Sequence, residues 1–130
     1  MFNLNFFKTV KKKIPISKNE IKRLKRIFKK EIKSKNLKIK EINVVMVGKD
    51  RIKSLNKNFL NKNKKTDCLS FNLEEVGEIY ICSCYIKNKT DFLKLLTHSF
   101  CHILGYDHKS KNEKKFMEEK EKSIIKKIKL

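Results

Sequence analysis

The 130-residue sequence predicts an α+β fold: a small mixed sheet of about four strands with surrounding helices, one of them central and buried. Three observations carry this expectation. Apolar periodicity switches between two and 3.6 along the chain, in the order strand-helix-strand-helix-strand-strand-helix-helix, which suits helices packed on one small sheet. One helical stretch is apolar nearly all round, with Phe92, Leu93, Leu95, Leu96, Phe100, Cys101, Ile103 and Leu104, and such a helix belongs in the middle of a fold. The chain's three histidines, His98, His102 and His108, all lie in or just beyond that helix, which makes it the expected seat of a metal ion.

Each element has its own local reason. Phe2, Leu4 and Phe6 alternate as a short strand, and Lys11, Lys12, Lys13 and Pro15 form a charged connection. Ser17 with Glu20 three residues later reads as a capping box, and Ile21, Leu24, Ile27, Phe28 and Ile32 recur behind it at helical spacing, to an end near Lys35 and Asn36. Over residues 37–47 the period becomes two, with Ile42, Val44 and Met46 on one side and Glu41, Asn43, Val45 and Val47 on the other. Gly48 closes that strand, and Asp50 is expected to cap a helix carrying Ile52, Leu55 and Phe59. Asn61 to Lys65 is a lysine-rich loop. Leu69, Phe71 and Leu73 alternate as one strand face, a turn falls over residues 74–77, and residues 78–82 form a strand antiparallel to it. Asp91 is expected to cap the histidine helix, and Phe116, Met117, Ile124 and Ile128 mark a last helix over about residues 112–128.

At 130 residues the chain is expected to be a single domain, residues 1–130, with one core. The formal charge of +20 points toward anionic partners. Its weight is reduced by composition: only Arg23, Arg26 and Arg51 among 34 basic residues are arginines, and alanine is absent, as an AT-rich coding sequence would give. No stretch approaches the roughly 18 apolar residues that span a bilayer, and the start of the chain does not read as a signal peptide, so no membrane partner is expected. Cys68, Cys82, Cys84 and Cys101 lack a secreted-scaffold spacing, so free thiols in a cytoplasmic setting are expected. Cys82 and Cys84, two apart on an extended strand, read as buried small residues rather than metal ligands.

The histidine run carries the chemistry. His98 and His102 are four apart, about 40° around a helix and one turn above each other. Gly105 supplies the left-handed residue that ends the helix, so His108 can return toward them. Three converging imidazoles with an open fourth position are the usual layout of catalytic zinc.

Three blocks occur together in order: Thr66-Asp67-Cys68-Leu69-Ser70-Phe71, Gly77-Glu78-Ile79-Tyr80-Ile81-Cys82, and a His-x-x-x-His-x-x-Gly-Tyr-Asp-His run over residues 98–108. Together they closely resemble the YbeY family of bacterial rRNA maturation factors, and Leu55-Asn56 and Met117 with Glu121 also match that pattern. The resemblance implies a zinc-dependent, single-strand-specific endoribonuclease acting in small-subunit (16S) rRNA 3′-end maturation and ribosome quality control, with one Zn²⁺ per chain held by His98, His102 and His108. It implies single-stranded RNA and the small ribosomal subunit as partners, and no DNA specificity. Two departures stand out. Leu60 follows Phe59 where the family usually places an arginine, leaving Lys62, Lys64 or Lys65 to supply positive charge to the substrate without arginine's bidentate fork. The segment over residues 84–97 is also shorter than the family norm, so one helix is expected to shrink to a turn.

Beside the metal-bearing histidines, Asp107 is expected either to orient an imidazole N–H or to cap its loop, and Glu78 and Ser99 are weaker candidates for the cleft. Two other classes compete. A metzincin-like zinc peptidase shares the spacing, but needs a glutamate where this chain has Ser99. A non-catalytic zinc-containing ribosome-binding factor needs a fourth protein ligand, such as Cys82 or Cys84, because Cys101 points about 100° away from His102.

Overall fold

The computed structural model describes residues 1–62 and 66–129. Four strands, β1 (Asn3–Lys8), β2 (Glu41–Val47), β3 (Cys68–Asn72) and β4 (Val76–Cys82), form one sheet in the order β1-β2-β4-β3. β1, β2 and β4 run parallel, and β3 is antiparallel to β4. The helices are α1 (Lys18–Ser34), α2 (Lys49–Leu60), α3 (Lys89–Ile103) and α4 (Lys111–Lys129), so the mixed α/β architecture read from the sequence is the one observed.

The alternation of β2 divides the two faces of the sheet. Ile42, Val44 and Met46 join Leu4, Ile79 and Ile81 under α1, α3 and α4, and this is the main core. Within it the rings of Phe28 from α1 and Phe100 from α3 stack with centroids 3.7 Å apart, both wholly buried. Val47, Leu69 and Cys82 point to the opposite face, where Ile52 and Leu55 of α2 cover them. Phe59 extends the stripe of α2 beyond that cover and stays exposed, its edge on Phe71. β4 passes so close beneath α3 that a Cβ on Gly77 would lie 3.1 Å from Ile103 and 3.2 Å from Ile42.

The capping box of α1 forms as expected, with Ser17 Oγ accepting from Glu20 N–H and Glu20 Oε1 accepting from Ser17 N–H. Two expected caps are displaced. α2 begins at Lys49 with Gly48 as N-cap, and Asp50 lies inside the first turn. At α3 the N-cap is Asn88, whose Oδ1 accepts from Asp91 N–H, while Asp91 reaches back to accept from Lys87 N–H. The Asn88 amide does the capping, and Asp91 is the third residue of a capping-box-like pair. The segment before α3 contains a single 3₁₀ turn, Ser83–Tyr85. That turn takes Cys84 off the strand, so it is exposed rather than buried beside Cys82, although their sulfurs remain 3.2 Å apart. None of the four cysteines forms a disulfide. Phe116, expected among the apolar contacts of α4, is 61% exposed, whereas Met117, Ile124 and Ile128 are buried. No helix among the described residues is long and apolar enough to cross a membrane.

Candidate metal centre

α3 lies over the sheet with Phe92, Leu93, Leu96, Phe100 and Ile103 buried, and His98 and His102 emerge at one edge of that apolar surface. Its C-terminus is closed by a tight pair of backbone bonds: Tyr106 N–H to Cys101 C=O at 3.0 Å and Gly105 N–H to His102 C=O at 3.0 Å. This is the Schellman arrangement, and it requires the left-handed backbone that Gly105 supplies at φ 102°. The chain then turns back through Tyr106 and Asp107 to His108.

The turn brings the three imidazoles together. One ring nitrogen from each of His98, His102 and His108 lies within 4.8 Å of the others, and this triad could hold a metal ion. Ring centroids are 4.7 Å apart for His98 and His102, 5.2 Å for His102 and His108, and 6.0 Å for His98 and His108. Nitrogens bound tetrahedrally at about 2.0–2.1 Å from zinc stand roughly 3.3 Å apart, so a small inward rotation closes the set. His108 is the exposed member and the one free to make it.

The outer nitrogens identify the tautomers. His98 Nδ1 is 2.9 Å from Glu121 Oε1, and His102 Nδ1 is 3.1 Å from the Tyr106 carbonyl oxygen. A carboxylate and a carbonyl only accept, so in the neutral rings Nδ1 carries the proton and Nε2 presents its lone pair inward. Burial holds the His102 pKa below its usual value, reinforced by His98 and His108 and opposed by the Tyr106 carbonyl and Asp107. A ring that stays neutral is the form that ligates. For His102, donor type, hydrogen bonding and protonation therefore all fit a divalent ion that prefers imidazole, and His98 matches it in donor type and hydrogen bonding.

The remaining expected residues separate. Asp107 Oδ1 accepts from the His108 backbone N–H at 2.7 Å, a loop-capping bond, and lies 3.9 Å from His108 Nδ1. The carboxylate that orients an imidazole is instead Glu121. Ser99 is 1% exposed beside the Cys68 thiol, its hydroxyl without a hydrogen bond of normal geometry, so it does not line a cleft. A glutamate-like base is thus missing from that position in chemistry and in access. Glu78 accepts from the Tyr80 hydroxyl on the α2 face of the sheet, away from α3. Neither Cys82 nor Cys84 joins the triad, so among the described residues no sulfur completes a closed site.

Lys62 follows the C-terminal end of α2, with its N–H bonded to Asn56 C=O, and Lys64 and Lys65 fall outside the described residues. The lysines at the triad come from elsewhere. A cavity of about 380 Å³ is lined by His98, Asp67, Lys94, Glu118, Glu121 and Lys122. A smaller one of about 160 Å³ places Lys114 beside His98 and His108. Sequence reasoning missed these three because in so lysine-rich a chain no single lysine stands out; only packing selects them.

Known proteins resemble this chain along most of its length. The family model described as Endoribonuclease YbeY matches residues 6–129. An Endoribonuclease YbeY of Thermotoga maritima is 34% identical over 116 residues, covering 78% of this chain and 74% of the relative. One from Buchnera aphidicola is 32% identical, covering 93% of this chain and 88% of the relative. A solution structure of a Thermotoga maritima protein superposes with a TM-score of 0.58 at 25% identity, over 96% of this chain and 88% of that one. With the family match running from the first strand to the last helix, the chain belongs to the YbeY family.

Proposed function

We propose that this chain is a zinc-dependent, single-strand-specific endoribonuclease of the cytoplasm, acting in 3′-end maturation of small-subunit (16S) rRNA and in ribosome quality control. In this reading residues 1–130 act as a single metal-dependent hydrolase domain, with the small ribosomal subunit as partner. The observation that supports it most is the gathering of three imidazoles, two of which, His98 and His102, already have their outer nitrogens engaged by acceptors.

His98, His102 and His108 are the proposed ligands of one Zn²⁺, and they contribute to catalysis through it. Three neutral ligands leave the ion its full charge, and when bound it supplies a Lewis acid and brings the pKa of solvent at its open position toward about 7. Glu121 holds the His98 ring and the Tyr106 carbonyl holds the His102 ring, so neither has to be ordered when substrate arrives. Asp107 fixes the approach of the His108 backbone. Lys94, Lys114 and Lys122 around the triad attract the phosphodiester and offset charge that develops on its oxygens. Lys62, Lys64 and Lys65 are proposed to contribute positive charge to RNA binding, in place of the arginine that Leu60 replaces.

The test pairs metal content with cleavage. The purified chain is expected to carry about one zinc and to cut single-stranded RNA, losing both to a chelator and in His102→Ala. Unstructured peptide is expected to stay intact. Cleavage of peptide but not RNA, or full zinc retention in His102→Ala, refutes the reading.

A further inference from the structure

Away from the histidines, a groove of about 460 Å³ runs between α1 and α4, lined by Arg23, Arg26, Ile27, Lys30, Glu31 and Lys127. We propose that this groove is a second RNA-contact surface that grips the phosphodiester backbone away from the metal centre; the proposal rests on the endoribonuclease reading.

Composition makes the groove unusual. Only three of the 34 basic residues are arginines, and two of those three line this groove. Where a plain positive charge is enough, this chain uses lysine; a planar guanidinium adds a fork that matches two phosphate oxygens at once. Arg23, Arg26 and Lys30 follow one another at spacings of three and four, so they form one stripe on α1, and Lys127 faces them from α4.

Local pairing leaves that charge available. Arg23 Nη1 donates to the Ile128 carbonyl at 2.6 Å, which fixes the guanidinium in the wall and leaves its other N–H donors. Among the described residues neither Arg26 nor Lys30 has an ion-pair partner. The one acid of the groove, Glu31, is held by Lys120 at 2.7 Å and is 7% exposed, so its charge is already answered. A concave surface with four cations and one neutralised carboxylate favours a polyanion.

Its position also serves the reaction. Lys120 lines a second cavity of about 700 Å³ that contains Tyr106 and Asp107, next to His108. The Glu31–Lys120 ion pair thus links the two, with Glu31 in the wall of the groove and Lys120 in the wall of that cavity. Lys127 to Lys120 is seven residues of helix, about 10 Å, so a strand gripped in the groove needs to follow α4 only about two turns to reach that cavity.

The experiment compares two triple variants by anisotropy of a labelled single-stranded RNA of about 20 nucleotides, with chelator present so that nothing is cut. One is Arg26→Gln/Lys30→Gln/Lys127→Gln; Arg23 is kept because it also caps α4. The other, Lys49→Gln/Lys53→Gln/Lys57→Gln, removes equal charge from exposed positions on α2, across the sheet. Circular dichroism melting checks that both are folded. With about 0.7 counterions released per phosphate contact on a single strand, losing three contacts lowers the salt slope of log K by about two and weakens binding at least about tenfold at physiological salt. The α2 triple is expected to stay within about threefold of the wild type. Equal losses in both triples, no loss in the groove triple, or a wild type that binds no RNA each overturn the groove proposal. Because cleavage is read separately with zinc, a wild type that binds through the groove but never cuts RNA refutes the endoribonuclease reading alone. A wild type that cuts RNA while the groove triple binds normally refutes the groove alone.

Discussion

Replacing Glu121 isolates the support given to a proposed ligand from the ligand itself. Its Oε1 lies 2.9 Å from His98 Nδ1, a charge-assisted contact between side chains that are 34% and 24% exposed. His102 takes its support from a backbone carbonyl that mutation cannot remove, so Glu121 is the accessible point at which to test orientation. Loss of such an outer partner typically costs 10–100-fold in metal affinity, or about 1.4–2.7 kcal/mol. Glu121→Gln keeps an acceptor and loses the charge, so it belongs near tenfold; Glu121→Ala loses both and belongs near a hundredfold. The contact is partly solvated, and a pair of this kind adds only about 0–1 kcal/mol to folding, so the metal-free proteins should melt within a few degrees of the wild type. Zinc competition against a chromophoric chelator reads the affinity, and calorimetry reads the melting. Unchanged zinc affinity in both variants, alongside its loss in His102→Ala, would refute the claim that this carboxylate prepares His98.

Other perturbations address the scaffold. Phe28→Ala removes one ring of the buried stack against Phe100 and should cost about 3–5 kcal/mol in urea unfolding; a loss under 1 kcal/mol would mean the stack is not formed. Gly105→Ala meets no atom within 4 Å, so its penalty is the backbone strain of φ 102°, about 1–2 kcal/mol. Zinc affinity should fall with it, because the same turn carries the Tyr106 carbonyl to His102; stability lost with affinity intact would separate the two. Burial pushes the Cys68 and Cys101 thiols up to about 12, whereas Cys84 is exposed. Native alkylation at pH 8, read by mass spectrometry, should therefore mark Cys84 first, and early labelling of Cys101 would contradict its burial. Thiols raised in the fold favour it most below their unfolded pKa, so this contribution is kept up to about pH 9 and is lost as pH climbs toward 12.

Local rules made much of the fold legible. The capping box at Ser17, the period of two in β2, the antiparallel β3–β4 pair and the largely apolar surface of α3 are each decided within about fifteen residues, and each is observed. The displaced caps show the limit of the same rules. Asp50 and Asn88 stand close to other capping residues, and which one serves depends on where the chain leaves the preceding strand or turn. Cys84 and Phe116 depart from the same rules for a related reason. Their placement follows from a single 3₁₀ turn and from the face α4 shows to α3, and neither is written in the spacing of apolar residues.

The candidate site divides along the same line. Within nine residues, the helical spacing of His98 and His102, the left-handed Gly105 and the Tyr106 carbonyl assemble two inward-facing nitrogens and the support for one of them. That part was readable because α3 and its terminating turn are local structure. Glu121 is 23 positions from His98 and reaches it only after α4 docks through Met117, Ile124 and Ile128. Lys94, Lys114 and Lys122 are likewise selected by that docking. The division has a physical consequence. His102 is oriented as soon as α3 and its terminating turn form, whereas His98 is oriented only when α4 is seated on the core. Metal binding to the complete triad should therefore stabilise the α3–α4 packing as well as the turn, which makes α4 part of the metal centre although it contributes none of the proposed ligands.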